Sequence, residues 1–526
     1  MPRPRPPVPE HYDVIVIGSG PGGASFAQRL AASGKKILIL ERGDYLPRSQ
    51  KNWSADHVFL KNEYQADEVW EDERGRPFHP GLHYFVGGNS KVYGAALLRL
   101  REKDFGEIRH EDGVSPAWPL GYQDFAPWYD EAEALFEVHG LAGEDPLEPS
   151  RKAFPHPPVS HDPVIEDLDR RLGKAGLHPF HLPLGIRLRE HSGLPAPRSV
   201  CIRCDAFDGF PCLLNGKADA QVMCVDPALE RYPNLSLRTQ SYARRLLTDA
   251  QGRRVTGVEV VTHGEAETLT ADIVVSACGA LSSALLFLRS ANAAHPDGLA
   301  NRSGQVGRNY MRHNQSVLMA LLRWPNEGVF QKTLAFSDFY FGGKHADYPY
   351  PLGLVQMCAK VHPGQIMSEI LPPWLQWLPR PPFNWLARHA MDFWLSSEDV
   401  PLPENRVFYR DGKVRLEVRE TNARAHRLLR RETIRVLSQA YGFGRDRLAF
   451  FFKPVPLAGT SHQAGTLRFG QDPASSVLDL NCKAHEIDNL YAVDAGFFPS
   501  IGAVNPTLTI IANALRVAAH VEERLA

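Results

Sequence analysis

The chain has 526 residues, more than one ordinary compact core accommodates, so we expect two intertwined domains. Hydrophobic residues make up 43% and charged residues 23%, which is the balance of a folded globular protein and excludes global disorder. The 59 basic and 60 acidic residues give a formal net charge of −1, which argues against specific binding to DNA or RNA.

The N-terminal stretch MPRPRPPVPE is basic and rich in proline, and only the short apolar run from Val14 to Ile17 follows it. That run is too short for the apolar region of a secretory signal. No stretch approaches the roughly 18 consecutive apolar residues of a membrane-spanning helix. We therefore expect a cytoplasmic protein without a transmembrane segment.

A glycine-rich turn follows the first predicted strand. Residues 13–18, DVIVIG, form the kind of run that is buried in parallel sheets, and a complete G-x-G-x-x-G pattern then covers residues 18–23. A segment with helical spacing comes next, and a second apolar run, from Ile37 to Leu40, stops at Glu41. The order strand, turn, helix, strand, acid predicts a dinucleotide-binding unit.

The residue types of this unit can be explained by the geometry that dinucleotide binding requires. Gly18 permits the tight turn, Gly20 lets the backbone approach a pyrophosphate, and Gly23 lets the helix pack closely on the strand. The helix N-terminus offers free N–H groups and the positive end of its dipole to the phosphates. Glu41 is placed to accept hydrogen bonds from ribose hydroxyls. The turn alone does not distinguish NAD from FAD.

The C-terminal part of the chain resembles the C-terminal signature of the glucose–methanol–choline (GMC) oxidoreductase family. The matching residues, in the family's order, are His462, Gly465, Thr466, Arg468, Gly470, Asp472, Pro473, Val477, Asp479, Asn489, Leu490, Tyr491, Asp494, Phe498, Pro499, Asn505, Pro506 and Thr507. Segments 86–105 and 278–291 resemble two further signatures, and 304–309 matches the segment that crosses towards the substrate domain. The resemblance spans nearly the whole chain and implies FAD as the cofactor.

The resemblance also implies a catalytic pair. It places His462 where the hydroxyl proton of an alcohol is handled, and an imidazole suits that task because its ordinary pKa of about 6.5 lies near working pH. It places Asn505 beside His462 as a hydrogen-bond partner of the substrate oxygen. Because Asn505 precedes Pro506 and an apolar-striped helix, we also expect it to be the N-cap of that helix. Whether His462 acts as a base or as a protonated electrophile stays open.

Further residues are expected to contact FAD. They are Gly18, Gly20, Gly23, Glu41, Gly88, Asn89, Ser90, Ala243, Asp494, Pro506 and Thr507. Asp494 ends an apolar run and is expected to accept hydrogen bonds from the ribityl chain, while Asn89 and Ser90 are expected near the isoalloxazine edge. Some family members attach the flavin through a histidine four residues after the second glycine of a V-G-G segment. This chain has Val92 there, so we expect noncovalent FAD.

Four of the seven cysteines fall within 24 residues: Cys201, Cys204, Cys212 and Cys224. One interpretation is free or disulfide-bonded cysteines that steady a loop. A second is zinc, although the usual paired C-x₂-C motifs are absent. A third is an iron–sulfur cluster, which some sugar dehydrogenases resembling this family carry, although the spacing fits no ferredoxin pattern. The spacing favours the first interpretation, so no metal is predicted.

We predict an α/β fold in which a Rossmann-like FAD-binding domain is interleaved with an α+β substrate-binding domain. The FAD-binding parts are predicted at 10–150, 200–315 and 455–526, and the substrate-binding parts at 151–199 and 316–454.

Residues 371–395 hold four of the nine tryptophans and five prolines. The prolines exclude a continuous helix as far as Pro382. We interpret this segment as a packed lid over the active-site mouth, with a membrane-surface or subunit contact as the alternative.

The leading functional hypothesis is FAD-dependent oxidation of a CH–OH group of a sugar, glycoside or other bulky alcohol to a carbonyl, with hydride transfer to flavin N5 and His462 as acid or base. A cyanohydrin-type lyase and a non-catalytic flavoprotein-like scaffold are the alternatives. The expected partners are the small-molecule substrate and an electron acceptor, which is oxygen, a quinone or a carrier protein. The sequence does not separate an oxidase from a dehydrogenase, and it is compatible with a homo-oligomer.

Overall fold

The computed structural model describes residues 10–343, 347–442 and 447–526, so residues 1–9 of the proline-rich stretch lie outside the described residues. The longer strands are β1 (His11–Ile17), β2 (Ile37–Leu40), β3 (Pro179–His181), β4 (Leu235–Arg238), β5 (Ser241–Thr248), β6 (Val255–Thr262), β7 (Glu265–Ser276), β8 (Asn314–Leu321), β9 (Leu334–Phe336), β10 (Leu354–Met357), β11 (Ala390–Ser397), β12 (Arg406–Arg410), β13 (Lys413–Glu417), β14 (Ala449–Pro454) and β15 (Leu490–Ala492). The α-helices are α1 (Pro21–Ala31), α2 (Tyr122–Leu135), α3 (Pro163–Lys174), α4 (Asp226–Arg231), α5 (Ala280–Arg289), α6 (Pro363–Ile370), α7 (Pro381–His389), α8 (Ala423–Tyr441) and α9 (Thr507–Leu525).

Shorter elements connect these. Two-residue strands lie at Trp70–Glu71, Pro77–Phe78, Ile108–Arg109, Val114–Ser115, Val138–His139, Leu184–Gly185, Glu190–His191, Leu194–Pro195, Met311–Arg312 and Gln463–Ala464. Single 3₁₀ or π turns lie at Gln50–Trp53, Asp56–Leu60, Gly88–Lys91, Glu102–Phe105, Gln221–Val225, Pro373–Leu375, Leu457–Gly459 and Ala495–Phe497.

The first sheet has seven strands and contains the glycine turn. Its order is β4-β2-β1-β7-β6-β5, and β15 pairs with β7 outside this path. The first half of β7 pairs antiparallel with β6, while its second half lies between β1 and β15 in parallel pairing. The strand β2 is apolar along its whole length because both of its faces are covered, and every one of its residues is buried. The predicted Rossmann-like α/β fold is confirmed.

The second sheet has six strands in the order β14-β8-β11-β10-β9-β3. All the pairings are antiparallel. One face packs against α8 and α3 around a separate buried cluster that includes Leu318, Phe393 and Leu429. The opposite face carries a smaller apolar cluster around Met319, which α6 and α7 cover. This sheet therefore has one face covered by α3 and α8, and a second face that α6 and α7 cover in part and that also borders a cavity.

The strands β12 and β13 form an antiparallel hairpin. β13 also pairs with the strand Trp70–Glu71 and not with the six-stranded sheet. Val407 and Leu416 belong to the core cluster of the first sheet. Across the described ranges, none of the helices combines the length and apolar character needed to cross a bilayer.

Candidate functional site

A single cavity of about 670 Å³ lies between the glycine turn, the C-terminal segment and the open face of the six-stranded sheet. All of the predicted catalytic and FAD-contacting residues except Gly23 line this cavity. The lining residues among them are Gly18, Gly20, Glu41, Gly88, Asn89, Ser90, Ala243, His462, Asp494, Asn505, Pro506 and Thr507. Residues from the N-terminal and the C-terminal parts of the chain therefore line the same cavity.

Backbone atoms of neighbouring segments pack closely against Gly18 and Gly23 of the glycine turn, whereas the space beside Gly20 is open. A Cβ at Gly18 would overlap the carbonyl of Ala277, and the φ of +104° favours glycine as well. A Cβ at Gly23 would overlap the carbonyl of Gly18, so this residue serves the packing of helix on strand. A Cβ at Gly20 would meet nothing within 4 Å and would project into the open side of the turn. The open cradle at Gly20 fits a group that approaches the backbone closely, as a pyrophosphate does.

Gly22 is a functional glycine that the sequence analysis missed. A Cβ there would overlap the carbonyl of Val493, just after β15. The helix α1 therefore approaches the C-terminal segment directly, and this contact brings the two ends of the chain together. The second glycine of the Gly-Pro-Gly-Gly run was the only signal available for it.

Glu41 is buried, and its carboxylate holds the turn. One oxygen accepts hydrogen bonds from the backbone N–H of Ser19 at 3.1 Å and from the Ser19 hydroxyl at 2.5 Å, and the other accepts from Gly43 N–H at 2.9 Å. Burial raises the pKa of Glu41. Glu41 lines the cavity and also fixes the end of β2 against the turn after β1.

The segment around Gly88 lies against the turn. A Cβ on Gly88 would come within 3.1 Å of the Gly20 Cα. The Asn89 side chain accepts a hydrogen bond from His83 N–H at 2.9 Å and donates to the Gly81 carbonyl at 3.1 Å. Ser90 accepts from the backbone N–H of residue 220 at 3.0 Å and donates to the carbonyl of residue 87. The Asn89 and Ser90 side chains thus brace the loops of the cavity wall.

Asp494 and Ala243 lie on two other walls of the cavity. Asp494 accepts hydrogen bonds from the backbone N–H groups of Gly279 at 3.1 Å and Gly496 at 2.9 Å, and from the Ser283 hydroxyl. Burial raises the pKa of Asp494. Ala243 lies at a register shift between β5 and β6, which turns the strand where it borders the cavity.

His462 lies on the loop before the strand Gln463–Ala464, and its Nδ1 atom has two neighbours. His313 Nδ1 lies 2.8 Å away and Gln315 Nε2 also lies 2.8 Å away. Burial, followed by the charges of His313 and Lys332, lowers the pKa of His462 well below its ordinary value. Burial also lowers the pKa of His313 to about 4. His462 is therefore neutral at neutral pH, and its Nε2 atom remains for other contacts.

Asn505 contacts the six-stranded sheet and does not cap α9. Its Oδ1 atom accepts a hydrogen bond from Gln356 Nε2 at 3.1 Å. The helix begins at Thr507, the capping position falls on Pro506, and no side chain caps it. The predicted N-cap role of Asn505 is wrong because the helix starts one residue later than the Asn-Pro pattern suggests. The start of α9 still borders the cavity through Pro506 and Thr507.

Three residues that contact His462 or Asn505 were not found from the sequence. His313 directly precedes β8, Gln315 is the second residue of β8, and Gln356 lies on β10. The two strands are separated by β11, which pairs with both. A run of polar residues opening an otherwise apolar strand, HNQSVLMALL, was the available signal for the first two.

The clustered cysteines are free thiols, as are the other three in the chain. Cys224 contacts the Ser25 hydroxyl at 3.7 Å, Cys212 accepts a hydrogen bond from Gly216 N–H at 3.2 Å, and Cys204 contacts a carbonyl at 3.6 Å. Cys201 is buried. In the described part of the chain, no group of three or more histidine, cysteine or acidic side chains is arranged to hold a metal. The zinc and iron–sulfur interpretations therefore lack a ligand set there.

The tryptophan-rich segment does not form a packed lid. Trp374, Trp377 and Trp385 are 71%, 76% and 52% exposed. The preceding helix α6 borders the cavity instead, through Ile366 and Ile370. The lid interpretation is wrong for these three tryptophans, since their rings face outward.

Comparison with known proteins agrees with this arrangement. Two GMC oxidoreductase family models match residues 81–315 and 411–514, and an NAD(P)-binding Rossmann-like domain model matches residues 16–58. The 6'''-hydroxyparomomycin C oxidase of Streptomyces lividus is 31% identical over 98% of this chain and 92% of its own length. Paromamine 6'-oxidase of Streptomyces fradiae is 31% identical over 96% and 90%. The 2-methyl-1,2-propanediol dehydrogenase of Mycolicibacterium austroafricanum is 27% identical over 98% and 96%.

Solved structures share the fold. Pyridoxine 4-oxidase from Mesorbium loti superposes with a TM-score of 0.68 at 20% identity, covering 97% of this chain and 99% of that chain. A formate oxidase variant from Aspergillus oryzae RIB40 superposes with a TM-score of 0.67 at 16% identity, covering 98% of each. Because the two family models cover more than half of the sequence and full-length relatives reach 31% identity, this chain belongs to the GMC oxidoreductase family.

Proposed function

We propose that this chain oxidises a CH–OH group to a carbonyl, with FAD held noncovalently in the cavity. The observation that carries the proposal is that the open glycine turn, His462 and Asn505 line the same cavity. The names of relatives support it, since they are oxidases and dehydrogenases of alcohol-bearing compounds.

The residues of the first sheet fit the adenine-dinucleotide part of the cofactor. Gly20 leaves space against the backbone, and the N-terminus of α1 presents its unpaired N–H groups to a phosphate there. Glu41 retains lone pairs for ribose hydroxyls. Val92 lines the cavity at the position where the linking histidine of other family members would stand, and valine has no nucleophile for a covalent bond.

His462 is suited to accept the hydroxyl proton of the substrate. Both contacts of its ring fall on Nδ1, so Nε2 is the nitrogen that faces the reacting oxygen. Its lowered pKa keeps the imidazole neutral, as a proton acceptor must be. The Nε2 lone pair is free only when Nδ1 carries the ring hydrogen. Gln315 must then present its amide oxygen to Nδ1, because the amide nitrogen can only donate.

Asn505 is suited to hold the substrate oxygen. Because Gln356 donates to its Oδ1 atom, the Nδ2 group is left to donate towards the oxygen as negative charge develops on it. The N-terminus of α9 adds a positive dipole end on the same side. FAD, when bound, takes a hydride from the carbinol carbon, so the alcohol loses one proton and one hydride and becomes a carbonyl.

Anaerobic mixing of the purified yellow protein with a panel of alcohols tests the proposal through loss of flavin absorbance. His462→Ala should keep the yellow colour and slow flavin reduction by on the order of 10²–10⁴. His520→Ala, a histidine on α9 that does not line the cavity, serves as the control. Reduction of His462→Ala at the wild-type rate would contradict the assignment of His462.

Two further measurements address the cofactor and the acceptor. Acid precipitation should release all of the flavin into the supernatant, because we propose a noncovalent cofactor. Flavin that stays with the precipitate contradicts that. Comparison of peroxide formation with dye reduction distinguishes oxygen from a quinone or carrier protein as the acceptor.

A further inference from the structure

The cavity continues beyond the catalytic pair across the open face of the six-stranded sheet. On β8, Gln315, Val317 and Met319 share this face because alternate residues of a strand point the same way, and all three line the cavity. The cross-strand neighbour of Val317 on β11 is Trp394, and that of Met319 on β14 is Phe451. Both aromatic residues also line the cavity.

The chemical character of this face changes with distance from the catalytic histidine. Gln315 contacts the histidine, whereas Val317 and Met319 offer only hydrocarbon and a thioether. Four residues of extended strand correspond to ~13 Å. Opposite the sheet, Ile366 and Ile370 of α6 line the cavity, and Ile370 is 50% exposed at its outer end. A passage with apolar side chains on two facing walls thus leads from the reacting end to the surface.

The charged side chains along this passage are already engaged. Lys332 and Asp208 form an ion pair at 2.6 Å, and the second Asp208 oxygen accepts a backbone N–H at 2.6 Å. Glu369 pairs with Lys453 at 3.3 Å, and Lys360 donates to two backbone carbonyls. Among the described residues that line the passage, neither carboxylate is left unpaired to hold an ammonium group.

From these contacts we infer that the substrate is an alcohol whose CH–OH group is carried on a hydrocarbon body, and not a sugar or an aminosugar. A sugar ring between Val317, Met319 and Trp394 would give up water at the hydroxyls that face these apolar side chains, which is unfavourable. A hydrocarbon body would be removed from water against Val317, Met319 and Trp394, which is favourable. This inference rests on the proposed alcohol oxidation and adds the class of substrate to it.

The test is anaerobic flavin reduction by the holoprotein with ethanol, butanol, hexanol, octanol, cinnamyl alcohol, methyl glucoside and glucosamine. We expect kcat/KM to rise about three- to fourfold for each methylene added along the series of linear alcohols. We expect octanol and cinnamyl alcohol to exceed both sugars. A flat chain-length series, or faster reduction by either sugar, would overturn the inference and leave the alcohol oxidation intact.

If none of the compounds reduces the flavin, the proposed function fails and binding decides the inference separately. Octanol and methyl glucoside are then titrated into the yellow His462→Ala protein, and the shift of the flavin absorbance gives their dissociation constants. Tighter binding of octanol supports an apolar passage, and tighter binding of the glucoside overturns it.

Two variants locate the passage. Val317→Thr and Met319→Gln should each lower kcat/KM for octanol by roughly tenfold, because each sets a polar group against the hydrocarbon chain. Met319→Gln should lower the value for octanol by a larger factor than the value for ethanol, since a short chain does not extend ~13 Å from the reacting end. Val329→Thr, at a 52% exposed valine outside the cavity, is the matched control. Equal losses for ethanol and octanol in Met319→Gln would place the hydrocarbon elsewhere.

Discussion

Gln356 offers a sharp test of how the catalytic pair is held. It lies on β10, is 2% exposed, and donates through Nε2 to the Asn505 Oδ1 atom at 3.1 Å. We consider Gln356→Met, which keeps an unbranched side chain of similar length and removes the donor. Asn505 then loses the hydrogen bond that leaves its Nδ2 group directed at the substrate oxygen.

The expected magnitude follows from the hydrogen bond. Leaving a buried acceptor unsatisfied costs about 1–3 kcal/mol. If the amide keeps its orientation, the protein is destabilised by this amount. If the amide rotates to find another partner, the Nδ2 donor is misdirected and the barrier to alcohol oxidation rises by a similar amount. A barrier increase of this size slows flavin reduction by about 5- to 150-fold.

The assay is single-turnover flavin reduction in Gln356→Met, Asn505→Ala and the double variant. Because Gln356 acts through Asn505, the double variant should be no slower than Asn505→Ala, and the two effects should not add. Gln365→Met, on α6 at the same cavity, should reduce the flavin at nearly the wild-type rate. Additive losses in the double variant would refute the reasoning, since Gln356 would then act on the substrate directly.

Other predictions concern the turn and the histidine. Gly20→Val should leave the Tm of the apoprotein unchanged, since no protein atom lies within 4 Å of the new Cβ, yet it should abolish flavin retention as judged by absorbance after gel filtration. A yellow Gly20→Val protein would contradict the placement of the pyrophosphate. Gly22→Ala should instead lower the stability measured by urea unfolding by about 1–3 kcal/mol, because its Cβ overlaps the Val493 carbonyl. The pKa of His462 is lowered, so its neutral form persists below pH 6.5, and flavin reduction should stay constant there and decline only at more acidic pH. A decline centred at or above 6.5 in a stopped-flow pH series would show that His462 titrates normally.

The glycine turn was predictable because its determinants are local. Gly18, Gly20 and Gly23 are separated by only one and two residues, and the strand and helix that flank them fix their geometry. The structure assigns two of these glycines to backbone packing and leaves Gly20 facing the opening, as expected from the motif. Gly22 was missed because its neighbour, Val493, is distant in the sequence.

The partners of His462 and Asn505 were not predictable from the sequence, because sheet register creates them. Gln315 and Gln356 lie on two strands that β11 separates. No local sequence pattern reveals that these two strands are neighbours of β11, or which of their residues lie side by side in the sheet. The misplaced helix start at Asn505 has a similar origin. The Asn505 amide accepts a hydrogen bond from Gln356 on β10, and this tertiary contact replaces the local capping bond.

The two proposals place both the chemistry and the selectivity on one surface of the six-stranded sheet. On β8, Gln315 contacts the catalytic histidine, and Val317 follows ~7 Å further along the same face. Since both residues belong to one rigid antiparallel strand, a movement of β8 would displace the histidine and reshape the passage together.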